Sequence, residues 1–175
     1  VVACIEPGVF YVTTTTGHSD AIYRSMLKWN ARWCLDADVT NVTSAYCGVN
    51  LAGPRSRAIL SALCPHEDLS HAAFGYMRNR VLEIAGARAI AMRVGFLGEL
   101  AYELHLPSSR ALSVVDRLLE VGREFGLVPI GVEAQRLLRL EKGHVIIGQD
   151  TDGISTPHEV GMGWAVAADK PFFFG

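Results

Sequence analysis

The spacing of apolar residues changes several times along the chain, and each change predicts an element. Residues 1–16, VVACIEPGVFYVTTTT, are apolar and β-branched on both sides of Pro7-Gly8, which predicts a hairpin turning there. Ile22, Met26, Trp29 and Trp33 then recur at steps of four, three and four, the spacing of one helix face, with Ser19 or Thr16 as its cap. The β-branched stretch 38–53 predicts one or two strands. Residues 53–64, GPRSRAILSALC, predict a short helix with Pro54 in its first turn and Ile59, Leu60 and Leu63 turned inward.

From Asn79 the period becomes two. RVLEIA and RAIAMRV flank a small turn at Gly86-Ala87, and LAYELHLP, residues 100–107, supplies a third strand of an antiparallel set. Pro107-Ser108-Ser109 opens a helix through Gly126, with Leu112, Val115, Leu118 or Leu119 and Phe125 on its apolar face. Residues 132–143 predict another helix, closing on Gly143, with Leu137, Leu138 and Leu140 on its buried side. HVIIG, 144–148, reads as a buried strand, 148–158 as a polar loop, and the segment after it as a strand. Together these predict an α+β protein of two lobes that divide near residues 65–80, taken as 1–70 and 71–175; a single α/β layer is the alternative.

Composition narrows the function. The 175 residues suffice for one compact domain or two small lobes, half of them are apolar, and the net charge of −2 leaves no basic surplus for gripping nucleic acid. Cys4, Cys34, Cys47 and Cys64 have neither C-x-x-C nor zinc-type spacing, which predicts buried thiols in a reducing compartment. With no run of eighteen apolar residues and no signal-peptide order, a soluble, cytoplasmic protein without membrane partners is expected. The apolar start and the DKPFFFG ending predict a piece of a longer polypeptide, because three adjacent phenylalanines left in water would be an aggregation liability.

Three groups of residues can carry chemistry. In the strand GELAYELHLP, Tyr102, Leu104 and Leu106 fall on one face and Glu103 and His105 on the other. Both polar residues can simply face water; at the edge of a pocket, though, a carboxylate accepts two parallel N–H bonds and so matches the amidine-like edge of a guanine or pterin ring. Arg136 and Arg139, three apart on a helix, either solvate its face, with Glu133 pairing Arg136, or offer a fork to a carboxylate ligand. Asp20 follows a Gly-containing turn at a helix start; it either favours the helix dipole or stands ready to stabilise positive charge or accept a proton at an amine. GQDTDG fails as a calcium loop, and His18, His71 and His158 share no ligand spacing, so no metal is assigned.

The order and wording of TTTTGH…WNARW, NLAGPRSRAIL, VGFLGELAYELHLP, FGLVPIGVEAQRLLRLEKGHVIIGQDTDG and TPHEVGMGWAV closely resemble the aminomethyltransferase (glycine-cleavage T-protein) family, above all its branch in the alpha subunits of heterotetrameric sarcosine oxidases, with dimethylglycine dehydrogenase as a further relative. The most specific parts are the G-x-x-G-E-x-x-Y-E run and the block from Gly131 to Gly153. The resemblance implies a tetrahydrofolate-binding fold of two ferredoxin-like α+β lobes, incomplete here at both ends, leading toward an absent C-terminal barrel. It implies that Glu103 holds the pterin ring, with Phe96 and Tyr102 flanking the folate. Phe96 stands where the family usually has Tyr, so only packing or stacking remains there. It places Arg136 or Arg139 near the folate and Asp20 at the transfer chemistry.

The activity implied is that of a sarcosine oxidase fragment. A flavin oxidises an N-methyl amine to an iminium, and a connected folate pocket captures the one-carbon unit as 5,10-methylene-tetrahydrofolate before water releases it as formaldehyde. The alternatives are a structural lobe that packs against a flavin subunit, or a T-protein-like aminomethyltransferase. No G-x-G-x-x-G fingerprint is present, so flavin and NAD would belong to absent regions or to other subunits of the oxidase.

Overall fold

The computed structural model describes residues 1–171, for Thr16 the backbone alone, so the phenylalanines at 172–174 lie outside the described residues. Two compact units divide the chain: residues 1–95 with 99–129, and residues 96–98 with 130–175. The boundary expected at residues 70 and 71 lies inside the first unit.

The first unit opens with a hairpin of β1 (Val2–Glu6) and β2 (Val9–Val12), turned at Gly8 as the Pro7-Gly8 signal predicts. Helix α1 (Ser19–Trp33) follows; His18, not Ser19 or Thr16, is its N-cap residue, and it buries no residue, so the Ile22–Trp33 stripe lies together but outside the core. Trp29 stacks on Trp33 with centroids 4.7 Å apart. Next come β3 (Tyr46–Ala52) and α2 (Ser56–Leu63), then the meander β4 (Asn79–Ile84), β5 (Ala87–Met92) and β6 (Ala101–Pro107), and α3 (Ala111–Gly122). Pro54 sits just before α2 instead of within its first turn.

The four later strands form one antiparallel sheet in the order β3-β6-β5-β4. Helix α2 carries the chain from one edge of that sheet to the other, and the meander returns to pair β6 with β3. One sheet face packs on α2 and α3, where Ile59, Leu60, Val114 and Leu118 meet Leu51, Leu82, Leu104 and Leu106. On α3 the buried residues are Val114, Leu118 and Gly122, with the expected Val115 and Phe125 packed against the same core, while Leu112 is 75% exposed and does not belong to that face. The opposite sheet face meets the hairpin, where Ala3, Ile5 and Tyr11 cover Ile90, Met92, Val94 and Tyr46. The β4–β5 turn is centred on Ala85 and Gly86, both left-handed, so Ala87 begins the next strand opposite Ile84.

The second unit contains α4 (Val132–Lys142), closed by the left-handed Gly143 as predicted. Here two expectations are corrected. HVIIG is not a strand: Asp150 accepts the Ile146 amide at 2.6 Å and turns the chain back, leaving Ile147 73% exposed. The tail after Gly161 forms a 3-10 turn, Gly163–Ala165, and no strand, since the described residues of this unit offer no edge to pair with.

The thiols also differ from expectation. Cys4 and Cys34 are exposed and Cys47 is half-buried. Only Cys64 is buried, its Sγ 3.5 Å from the Glu83 carbonyl; burial, and secondarily the Glu67 carboxylate, push this thiol up to about 11. No helix among the described residues is long and apolar enough to cross a membrane.

Candidate functional site

In the first unit a cleft of about 650 Å³ opens above the sheet face that bears Glu103. Thr13, Thr14 and Thr15 line it where the chain leaves β2, Asn50 lines it from β3, and Glu103 and His105 line it from β6. Strand alternation explains the arrangement. Tyr102, Leu104 and Leu106 are fully buried on the helix side, so the residues between them must face the other way. Asn50 is the direct cross-strand partner of Glu103, which places a neutral amide beside the acid instead of a competing cation.

Glu103 keeps 28% of its side chain exposed, enough for a ligand to reach, and lies 3.7 Å from Nε2 of His105. The Nδ1 atom of His105 stands 3.4 Å from the Tyr11 hydroxyl. Carboxylate, amide and hydroxyl groups in one cleft of this size suit a neutral, donor-rich heterocycle, for which small-molecule sites of roughly 300–1,000 Å³ are usual.

The other predicted site residues are not gathered in that cleft. Tyr102 is on the opposite sheet face, its ring 5.4 Å from Phe74 and its hydroxyl accepting from Nε of Arg57 at 3.0 Å; it belongs to the core. Asp20 is in the first turn of α1, exposed, paired with Arg24 at 3.7 Å and absent from the cleft lining.

Phe96, Arg136 and Arg139 belong to the second unit. Phe96 stacks on His144 at 5.7 Å, and its carbonyl accepts from Nδ1 of that ring at 2.8 Å. The glycines of the G-x-x-G-E run have steric reasons. A Cβ at Gly98, where φ is +84°, would lie 2.7 Å from Cβ of Lys142, and one at Gly95 would lie 2.6 Å from Cβ of Ala101. Arg136 is exposed and pairs with Glu133 at 3.0 Å. Arg139, by contrast, is 1% exposed. Its Nη1 donates to the His144 carbonyl at 2.9 Å and to Oδ2 of Asp150, and its Nη2 donates to Oδ1 of Asp150 at 3.0 Å. The guanidinium bonds and the Ile146 amide hold the Asp150 carboxyl below its ordinary range. Every strong acceptor near Arg139 is therefore internal, and its fork ties the 144–150 turn to α4.

Asn50, the Tyr11 hydroxyl, His144 and the Asp150 partner of Arg139 had no signal in sequence spacing. Only pairing across strands or across a turn exposes them.

An antiparallel sheet layered on helices, with a carboxylate cleft on the face that the hairpin partly covers, defines an α+β fold. Residues 1–170 match the GCVT N-terminal domain family, and the chain belongs to it. It is similar to the sarcosine oxidase subunit alpha of Corynebacterium sp. (strain P-1), 39% identical over 166 residues that cover 93% of this chain and 17% of that protein. An aminomethyltransferase of Halothermothrix orenii is 38% identical over 138 residues, covering 79% of this chain and 38% of that enzyme. A 4-methylaminobutanoate oxidase (formaldehyde-forming) of Paenarthrobacter nicotinovorans is 39% identical over 135 residues, covering 77% and 16%. Among solved structures, the heterotetrameric sarcosine oxidase from Corynebacterium sp. U-96 in complex with pyrrole 2-carboxylate matches with a TM-score of 0.57 at 19% identity over 74% of this chain and 63% of that one, which shows the shared fold. The chain thus spans about a sixth of the length of the oxidase subunits it matches.

Proposed function

We propose that this chain is the tetrahydrofolate-binding part of a sarcosine oxidase-type alpha subunit, acting with other subunits of the oxidase in the cytoplasm. The observation that carries this reading is Glu103: a carboxylate half-sheltered in a cleft of about 650 Å³, beside Asn50 and away from any Arg or Lys side chain in the lining. Such an acid has its lone pairs free for the paired N–H groups of a pterin edge. Thr13, Thr14 and Thr15 add hydroxyls that both donate and accept, and the apolar lining excludes water from one side of a planar ring.

Bound tetrahydrofolate would supply the amines that take up a one-carbon unit at the formaldehyde level. This chain's residues orient it: Glu103 fixes the ring edge, Asn50 and the threonines complete its polar contacts, and the cleft walls limit hydrolysis of the reactive carbon. Oxidation of the amine requires flavin, with NAD held elsewhere in the oxidase, in regions beyond these residues. Asp20 as a proton acceptor is a secondary part of the proposal.

A second reading, a lobe kept for packing against a flavin subunit, draws on three observations: Phe96 is occupied by His144, Arg139 by Asp150, and Asp20 by Arg24. Calorimetric titration of reduced tetrahydrofolate into the full-length protein separates the two. Glu103→Gln is expected to weaken binding by about 1.5–3 kcal/mol, the worth of a hydrogen bond to a charged group. Equal affinity would remove Glu103 from the site, and no binding to folded wild type would establish the packing role.

A further inference from the structure

Strand β6 puts His105 on the same face as Glu103, and only 13% of the histidine side chain is exposed. The ring packs against Tyr11. Tyr11 approaches it edge-on at 5.2 Å and is itself braced edge-on by Tyr46 at 5.4 Å. Nδ1 lies within hydrogen-bond distance of the Tyr11 hydroxyl, whereas Nε2 is buried with no hydrogen-bond partner among the described residues and lies 3.7 Å from Glu103. Folded proteins seldom leave a buried ring nitrogen unsatisfied, so this one calls for a partner.

Burial, with a smaller contribution from Tyr46, raises the Tyr11 phenol above its ordinary range, so the hydroxyl keeps its proton. Its geometry then suits donation to Nδ1. A neutral imidazole that accepts at Nδ1 carries its own proton on Nε2, the nitrogen facing the acid.

We propose that His105 is a positioning residue for Glu103: held by Tyr11 in the Nε2–H form, it donates to the carboxylate and fixes the orientation in which that carboxylate meets a ligand's paired N–H groups. The proposal rests on the reading of Glu103 as the folate ligand. Each carboxylate oxygen has two lone pairs, so Oε2 accepts from His105 while still accepting from a bound ring. The 3.7 Å gap closes when ligand binding draws the two side chains together, as polar contacts in unliganded sites commonly do.

The test is tetrahydrofolate affinity in the full-length protein for His105→Phe, His105→Gln and Tyr11→Phe, with His105→Phe also made in a Glu103→Gln background. His105→Phe is expected to lower affinity about tenfold, as the loss of one hydrogen bond to a charged acceptor implies. His105→Gln, which returns an N–H near the place of Nε2, should recover most of it. In the Glu103→Gln background His105→Phe should change nothing further, since its action passes through the acid. The ¹⁵N shifts of His105 in the unliganded protein should report the Nε2–H tautomer, and Tyr11→Phe should disturb it.

Wild-type affinity in His105→Phe, or an equal loss in both backgrounds, would overturn the proposal and leave Glu103 as a ligand. Wild-type affinity in Glu103→Gln would instead overturn the reading of Glu103 as the folate ligand, on which the proposal rests. Should His105→Phe fail to fold, an Nδ1–H tautomer in the wild type refutes the proposal by itself.

Discussion

Strand β6 and helix α4 each hold residues that the sequence singles out as candidate ligands, and they obey their own sequence patterns to opposite degrees. On β6, alternation places Tyr102, Leu104 and Leu106 inside and Glu103 and His105 on the other face, as period two predicts. On α4 most of the pattern inverts: of the three leucines expected inside, Leu138 is half-buried but Leu137 is 65% and Leu140 55% exposed, and Arg139 is buried. A strand between two paired neighbours has only two faces, and a continuous core on one of them decides the register. A helix can rotate, and the strongest partner decides which residue turns inward. For α4 that partner is the Asp150 carboxylate with the His144 carbonyl, which together satisfy most of the Arg139 fork.

The largest test of this contrast lies in the strand. Leu104→Ala, at a site with no exposure in the packed face between sheet and helices, should lower stability by about 2–5 kcal/mol in urea unfolding.

In the helix the order of side chains should reverse. Arg139→Ala should cost about 2 kcal/mol and speed hydrogen exchange at the Ile146 amide, because the 144–150 turn loses its anchor. Leu140→Ser should stay within about 0.5 kcal/mol. A costly Leu140→Ser beside a harmless Arg139→Ala would show that α4 turns its leucines inward after all.

Acid sharpens the same point. The Asp150 carboxyl is lowered by its bonds to Arg139 and the Ile146 amide, so its contribution is present above the unfolded value, about 3.9, and disappears as pH falls through the lower folded value. The α4 unit should keep its exchange protection from pH 7 to about pH 5 and loosen only below about pH 4. The smallest effect concerns the β4–β5 turn. Ala85 is left-handed at φ +49°, and Ala85→Asn should raise the melting temperature slightly, by about 0.5 kcal/mol of stability.

Several elements were legible because their signals are local. Pro7-Gly8 marks the first turn, Gly143 stops α4, and the β4–β5–β6 meander follows from uninterrupted alternation. The failures share a cause. HVIIG is apolar enough for a strand, but a strand needs an edge, and Asp150 captures the Ile146 amide first. Leu112 matches the helical period of α3, yet the packing against α2 and β6 keeps Leu118 of that face, adds Val114 and leaves Leu112 out. In the site, Glu103 could be singled out from its motif and its face. Asn50 could not, because its pairing with Glu103 joins residues more than fifty positions apart.

The sequence by itself determined the α+β class, the antiparallel meander, the face on which Glu103 stands and the family resemblance, since all of these depend on periods and motifs within a few residues. Only the tertiary structure decided that Arg139 is tied to Asp150, that Tyr102 belongs to the core, and that Tyr11 and His105 stand behind Glu103. Those outcomes depend on which distant groups compete for each hydrogen bond and each buried surface, and that competition is settled when the sheet, its hairpin and the 144–150 turn close.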